Sequence, residues 1–411
     1  MNVVIFTSSY PYDYASEQTF LQGEVKLLCN SFERLILVPK TVQGKRLPIP
    51  DAVEVDESFA NSFTLVKRIV ASFCTIFTRD FYLDIKEHFP LSLKPSYIRR
   101  LFSFLAGARL TRNWVSDWLK KNSVENTVFY TYWFDELTMG IGLAKENHPS
   151  LRVVSRAHGY DIYEELYKIW PCRWRAIEMI DGLFSASGAG KDYFLKKYPQ
   201  YEKNYHISLL GVADPGEVCK PSQDGVLRIV SCSMIIDLKR VDLLLEGIAC
   251  AVQKSSGQKF EWHHFGEGEG RELLMERIKK EFPPNAKGTL YGFVPHSDVI
   301  RFYLEQPVDI FINVSSTEGT PVSIMEAISC GIPVIATAVG GNVEIVQERN
   351  GFLLSENPLP DEIADALLSV CDNREAWLEK RNGSREVWQE RYNETTNFEA
   401  FAQKLVEIRK R

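Results

Sequence analysis

Short β-branched runs alternate with amphipathic stretches along most of this chain, and that alternation restricts the fold more than any other feature. Parallel strands cannot be joined by tight turns; each pair needs a long crossover, usually a helix, so the rhythm predicts parallel α/β sheets. The runs read as strands are Val3–Ser9, Leu35–Pro39, Val128–Tyr132, Val153–His158, Gly182–Ser187 and His206–Leu210 in the first half. In the second half they are Leu227–Cys232, Phe260–Phe265, Thr289–Tyr291, Ile310–Val314, Pro333–Thr337 and Gly351–Leu354. Two such sets predict an α/β protein with two doubly wound, Rossmann-like sheets. At 411 residues the chain is also too long for one ordinary core. Val212–Val226 collects Pro, Gly and Asp without periodicity and reads as a linker. The expected domains are therefore residues 1–215 and 216–392, followed by a helix over 393–411. Phe398, Phe401, Leu405 and Ile408 share one face of that helix, which is expected to return to the first domain. No internal repeat is visible.

A formal charge of −6 argues against a nucleic-acid binder. The eight cysteines are scattered without a Cys-x-x-Cys pair, and the seven histidines lack ligand spacing, so reduced thiols and no metal site are expected. The first residues, Met-Asn-Val-Val-Ile-Phe-Thr, read as a strand, with neither a basic leader nor a membrane-length apolar run; this points to the cytoplasm. Residues 62–121 differ from the rest. They hold 11 Lys/Arg against 4 Asp/Glu, a net of +7, interleaved with eleven Phe, Tyr and Trp residues. The plain reading is a helical insertion with a solvated basic face. The sharper one is a peripheral surface for anionic lipid or an anionic acceptor, at the inner face of a membrane.

The most informative stretch is Val308–Leu354. An apolar strand, Val308-Asp-Ile-Phe-Ile-Asn-Val314, breaks into the loop Ser315-Ser-Thr-Glu-Gly-Thr320, and a helix is expected from Pro321 to Gly331. This order sets free backbone N–H groups at the carboxyl edge of a parallel sheet, where a phosphate or a sugar hydroxyl can bind. From Gly319 to Val343, 25 residues, Glu326 is the only charged side chain. A lone carboxylate in so apolar a segment is costly to bury unless hydrogen bonds satisfy it. It either reaches solvent or a distant Arg, or accepts bonds from paired hydroxyls such as those of a ribose; the second reading is preferred. Glu318, in the loop itself, is either a dipole-stabilised helix-terminal acid or a ligand group.

The run from Ser315 through Ile345 and Val346, with its Glu318 and Glu326, its Gly331-Ile-Pro-Val-Ile-Ala strand entry and its Gly340-Gly341 turn, resembles the donor-binding core of glycosyltransferase family 4. The resemblance implies a GT-B fold, two Rossmann-like domains facing each other across a cleft, and retaining transfer of a hexose-type sugar from a nucleotide-sugar. The acceptor would be a saccharide or a lipid-linked saccharide, as in bacterial polysaccharide or glycolipid synthesis, with no cofactor or metal and UDP as the favoured carrier. It implies that Glu326 holds the ribose and that Glu318 meets the transferred sugar, near the backbone of Gly319, Thr320, Pro321 and Val322. Tyr291, Phe293 and Val294 would flank the base. The family's diphosphate-neutralising lysine matches Lys239; Ser233 stands where its arginine is expected, and Arg240 is read as supplying that charge. In the first domain His158 would face the donor sugar, with Asp161 orienting the imidazole or capping the next helix. The cleft is further expected to include Gly340 and Ser9, although the first loop carries Ser8-Ser9-Tyr10-Pro11 and Ala15-Ser16-Glu17-Gln18-Thr19 where many members have paired glycines.

Other chemistries lack their motifs. Gly266-Glu-Gly-Glu-Gly270 has the wrong spacing for a dinucleotide turn, and Gly188-Ala-Gly-Lys191 is no P-loop. Asp-x-Asp and Gly-x-Ser-x-Gly are absent. Two alternatives remain open: a nucleotide-sugar epimerase on the same scaffold, and a non-catalytic partner subunit that binds a sugar nucleotide.

Overall fold

The computed structural model describes residues 1–14, 17–164, 169–255 and 257–411, with backbone alone at Thr19. The chain forms two compact units, one of Met1–Leu210 with Thr395–Arg411, the other of Gly211–Glu394.

The first unit is built on seven parallel strands: β1 (Asn2–Thr7), β2 (Arg34–Pro39), β3 (Val53–Val55), β4 (Thr127–Thr131), β5 (Arg152–Ala157), β6 (Gly182–Ser185) and β7 (Tyr205–Ile207), in the order β3-β2-β1-β4-β5-β6-β7. Six of these fall within or beside the runs read from sequence. β3 does not, because three residues against the edge of β2 are too few to show a period. Both faces of the sheet are covered, which is why β1 and β4 are buried almost throughout and apolar at their centres rather than alternating. On one face the 25-residue helix Pro95–Leu119 sets Trp114 on Phe6, ring centroids 5.5 Å apart, and Trp118 on Phe129 at 5.4 Å. On the other, the terminal helix Glu394–Lys410 buries Phe398, Phe401, Leu405 and Ile408. Phe401 packs 5.2 Å from Tyr130 and 5.1 Å from Phe184.

The basic segment is helical: Ser58–Ser62, Leu65–Thr75, Arg79–Glu87 and Pro95–Leu119. Its aromatic residues divide between two roles. Phe63, Phe81, Tyr97, Phe104, Trp114 and Trp118 are core, whereas Phe73, Phe77, Tyr82 and Phe89 are exposed.

The second unit carries β8 (Val226–Cys232), β9 (Lys259–Phe265), β10 (Ala286–Leu290), β11 (Ile310–Asn313), β12 (Val334–Thr337) and β13 (Gly351–Leu354), in the order β10-β9-β8-β11-β12-β13. All pairings are parallel. Leu227, Ile229, Trp262, Ile310, Ile312 and Ile335 join apolar residues of the helices Val241–Lys254 and Pro360–Asp372 in one core. The strand order reverses between β8 and β11. At such a switch point the loops leaving two adjacent strands diverge, and ligands of open α/β sheets bind in the crevice this leaves at the carboxyl ends.

Candidate ligand site at the β8/β11 switch point

The loops after β8 and β11 bring Lys239 and Glu318 together. Lys239 closes the short helical turn Asp237–Lys239, and its Nζ lies 2.6 Å from Glu318 Oε1. The same carboxylate oxygen accepts from Ser315 Oγ at 2.6 Å and from Asn313 Nδ2 at 3.0 Å. Glu318 is therefore fixed by three donors, two of them from the end of β11 and its loop. Its backbone is held as tightly. Gly340 has φ +47, and a Cβ there would stand 1.8 Å from the Glu318 carbonyl oxygen. A Cβ on Gly341 would stand 2.2 Å from the Gly319 carbonyl, which the Gly341 amide meets at 3.0 Å. Only glycine permits this approach, so the Gly340-Gly341 turn after β12 serves as a seat for the Glu318–Gly319 loop.

Beyond that loop the helix Val322–Ser329 begins, with Pro321 in the capping position one residue outside it. Glu326 is buried in the helix's second turn. Its carboxylate is met from another element: His296 Nε2, at the start of the helix His296–Glu305, lies 2.7 Å from Glu326 Oε1. The hydrogen bond to Glu326 raises the His296 pKa; partial burial opposes, and the charges of Glu326 and Glu394 add to the rise. Sequence spacing could not find this partner, since about thirty residues separate the two. The loop before His296 carries Gly292 at φ +71, a strongly exposed Phe293, and Tyr291, whose ring stacks on Phe265 at 4.7 Å. Val294 is half-buried beside them.

Arg240, expected to bring charge to the diphosphate, is held on the loops behind the site. Its Nε donates to the Val314 carbonyl at 2.6 Å, and Nη2 donates to those of Ser315 at 2.7 Å and Glu356 at 2.9 Å. Nη1 reaches Asn357 Oδ1 at 3.1 Å. The guanidinium fork is thus committed to tying the loops after β11 and β13, a task for which its planar donors suit it. The residue adopts φ 47 to do so.

In the first unit, His158 follows β5 and caps the short helix Gly159–Ile162. Its ring lies 4.6 Å from that of Tyr132 and 4.8 Å from that of Trp133. Burial pushes its pKa down to about 3, with Arg156 adding to the fall and the Tyr132 carbonyl opposing it. Its Nε2 has no hydrogen-bond partner among the described residues. The Asp161 carboxylate caps that helix, accepting from the His158 backbone amide, and also accepts from Phe134 N at 2.7 Å. Burial raises the Asp161 pKa to about 7, against those backbone bonds and Arg173.

The loop after β1 holds a feature that sequence reading missed. Buried Glu17 accepts from the amides of Ser8 at 3.0 Å, Ser9 at 2.6 Å and Tyr10 at 2.9 Å, and from Trp133 Nε1 at 2.8 Å. Ser9 is buried, with its hydroxyl on the Tyr12 carbonyl at 3.1 Å. Backbone amides that could meet a ligand anion are here turned onto the chain's own carboxylate. Ala15 and Ser16 of this loop lie outside the described residues.

Residues 220–387 match the family Glycosyl transferases group 1. Over 123 residues, 30% of this chain and 24% of the relative, the sequence is 33% identical to one of the subunits of human phosphatidylinositol N-acetylglucosaminyltransferase. Matches to the first curated relatives reach about a third of their lengths or less. The whole chain superposes on the lipopolysaccharide outer core galactosyltransferase WaaB with a TM-score of 0.65 at 15% identity, covering 97% of this chain and 98% of that one. Anabaena HepE in complex with UDP gives 0.65 at 14%, with 99% of each chain covered. These likenesses show the GT-B fold, two Rossmann-like units, and the second unit is similar over most of its length to the glycosyl transferases group 1 family.

Proposed function

We propose that this protein is a retaining glycosyltransferase that moves a hexose-type sugar from a nucleoside diphosphate sugar, UDP favoured, to a saccharide or lipid-linked acceptor without a metal ion. The observation that carries this reading is the Lys239–Glu318–Asn313–Ser315 cluster at the β8/β11 switch point, with Glu326 buried one helical step behind it. Cleavage of a nucleotide-sugar releases a diphosphate, and a fixed cation beside it stabilises the charge as it develops. Lys239 is that cation in this proposal, since Arg240 is engaged with backbone carbonyls. Glu326 would take the ribose hydroxyls and Glu318 a hydroxyl of the sugar. His158, neutral near pH 7 and with Nε2 open, suits a hydroxyl contact rather than general-base work. The acceptor class has support in the lipid substrate named for the human relative and in UDP bound to HepE for the carrier. Retention rests on the family resemblance.

Calorimetric titration with UDP, GDP and ADP tests the donor site. One nucleotide is expected to bind, and Glu326→Ala to weaken it roughly 10- to 100-fold, the value of hydrogen bonds to a buried charged group. Binding that survives this substitution would refute the ribose assignment; binding of none would refute the transferase reading. Turnover of the bound sugar conjugate without acceptor, yielding its epimer, would favour the epimerase.

A further inference from the structure

The helix Leu65–Thr75 is amphipathic, yet it faces the wrong way for a helix bathed in water. Ala71 and Thr75 are buried, and Arg68 turns inward, its guanidinium 5.3 Å over the Phe63 ring and bonded to Ser103 Oγ of the helix Pro95–Leu119. Arg68, Ala71, Ser72 and Thr75, spaced i, i+3, i+4 and i+7, make this inner face. Leu65, Val66, Ile69, Val70 and Phe73 make the outer one, each between 51% and 71% exposed, and Phe77 just past the helix end is 85% exposed. Hydrophobic burial ordinarily puts the apolar stripe of such a helix on the core. A contiguous exposed stripe of this kind marks an interaction surface.

The surroundings decide between partners. Residues 62–100 hold seven Lys/Arg and few Asp/Glu. Two of the acids are already engaged: Asp84 is buried on Tyr97 Oη and the Cys172 amide, and Asp80 pairs with Arg175. Lys67, Arg79, Lys86, Lys94 and Arg99 stay exposed, as do Tyr82, Phe89 and Leu93. Protein interfaces are depleted in lysine, whereas an apolar stripe ringed with lysine and arginine complements an anionic bilayer. Eleven residues at about 1.5 Å each give a helix of roughly 16 Å, half the hydrocarbon thickness of about 30 Å. Among the described residues no helix is long and apolar enough to cross a membrane.

We propose that the outer face of Leu65–Thr75, with Phe77, is a monotopic membrane-docking surface that inserts Ile69, Val70, Phe73 and Phe77 into the interface of an anionic bilayer. It extends the proposed function by placing the enzyme where a lipid-linked acceptor would be found, but the surface itself does not depend on the nucleotide site. Flotation of the full chain with phosphatidylcholine vesicles, with and without phosphatidylglycerol, tests it. Binding is expected only to the anionic vesicles and is expected to weaken with salt. Phe73→Ser/Phe77→Ser should lower the partition constant by roughly tenfold or more per side chain. Circular dichroism and nucleotide binding of that variant should match the wild type, because both rings lie in solvent; Val70→Glu is a second variant on the same face. No flotation with either vesicle would overturn the proposal. So would a concentration-dependent dimer that Phe73→Ser/Phe77→Ser converts to monomer while vesicles stay bare. Vesicle binding by a chain that binds no nucleotide would sustain the surface and refute the proposed function.

Discussion

Arg240 holds a left-handed backbone that costs an L-residue about 1–2 kcal/mol, and its guanidinium meets four acceptors on two loops. Arg240→Gly relieves that strain but strips those acceptors, and hydrogen bonds to charged groups are worth about 1.5–3 kcal/mol. A net loss near 2 kcal/mol should lower the melting temperature by roughly 4–8 °C in calorimetry. Nucleotide affinity would fall far less than in Lys239→Ala; the opposite pattern would return Arg240 to the diphosphate. His296 supplies a pH signature. Its pKa is raised in the folded chain by Glu326, so the pair contributes stability below the unfolded value of 6.5 and loses it as pH rises through the folded one. His296 is exposed, so the contribution stays within about 0–1 kcal/mol. An NMR titration should show the imidazole pKa dropping in Glu326→Gln. A ribose on Glu326 would compete with the same contact, so nucleotide binding should strengthen as pH rises past the His296 transition. Glu326 stood out in the sequence because a lone acid in an uncharged apolar segment demands an explanation, and Glu318 through its place in the loop before the helix and the family resemblance. His296 and Glu17 were not, because what defines them is a contact made across the fold.

Between elements, the seat under Glu318 is the most exacting contact at the site. Gly340→Ala would drive a Cβ into a carbonyl oxygen 1.8 Å away and impose φ +47 on a residue that resists it. The loop must shift, and a displacement of about 1 Å at a reacting centre can cost on the order of 100-fold in rate. The expected result is a folded protein with sharply reduced kcat and little change in UDP affinity, since Glu326 sits on the helix behind the loop. A large loss of UDP binding instead would show that the seat supports the helix as well. The glycine pair itself stood out in the sequence, but its purpose did not: the carbonyl it admits belongs to a loop more than twenty residues earlier. The same holds for Gly266, where a Cβ would meet the Ser233 carbonyl at 1.7 Å, so a glycine run that fails as a dinucleotide motif serves loop packing. Strand periodicity exposed nearly every element of both sheets, because buried parallel strands leave long apolar runs. β3 escaped by being short. In residues 62–121 composition revealed basic and aromatic character, yet only the fold separated the rings of the core from those in solvent.

On the scale of the whole molecule, the first unit is assembled from both ends of the chain. Its sheet has one face closed by the helix Glu394–Lys410, and Phe401 fills the centre of that contact between Tyr130 and Phe184, with the Arg156 guanidinium 4.5 Å over its ring. Arg156 is itself buried, held by Tyr130 Oη at 3.0 Å and paired with the equally buried Glu24. Removing the ring therefore opens a cavity beside a charge that depends on dry, well-packed surroundings. Phe401→Ala should cost about 3–5 kcal/mol. In a unit of this size that lowers the melting temperature by on the order of 10 °C. The second unit contains none of these contacts, so calorimetry should show one transition moving and one holding still. Truncation after Glu394 carries the argument further, because it uncovers Tyr130 of β4 and Phe184 of β6, on which the terminal helix packs. The truncated chain is expected to bind nucleotide through its second unit while its first unit shows no cooperative transition. A first unit that melted cooperatively without the terminal helix would mean that the sheet tolerates an open face, and that the return of the chain contributes little to its stability.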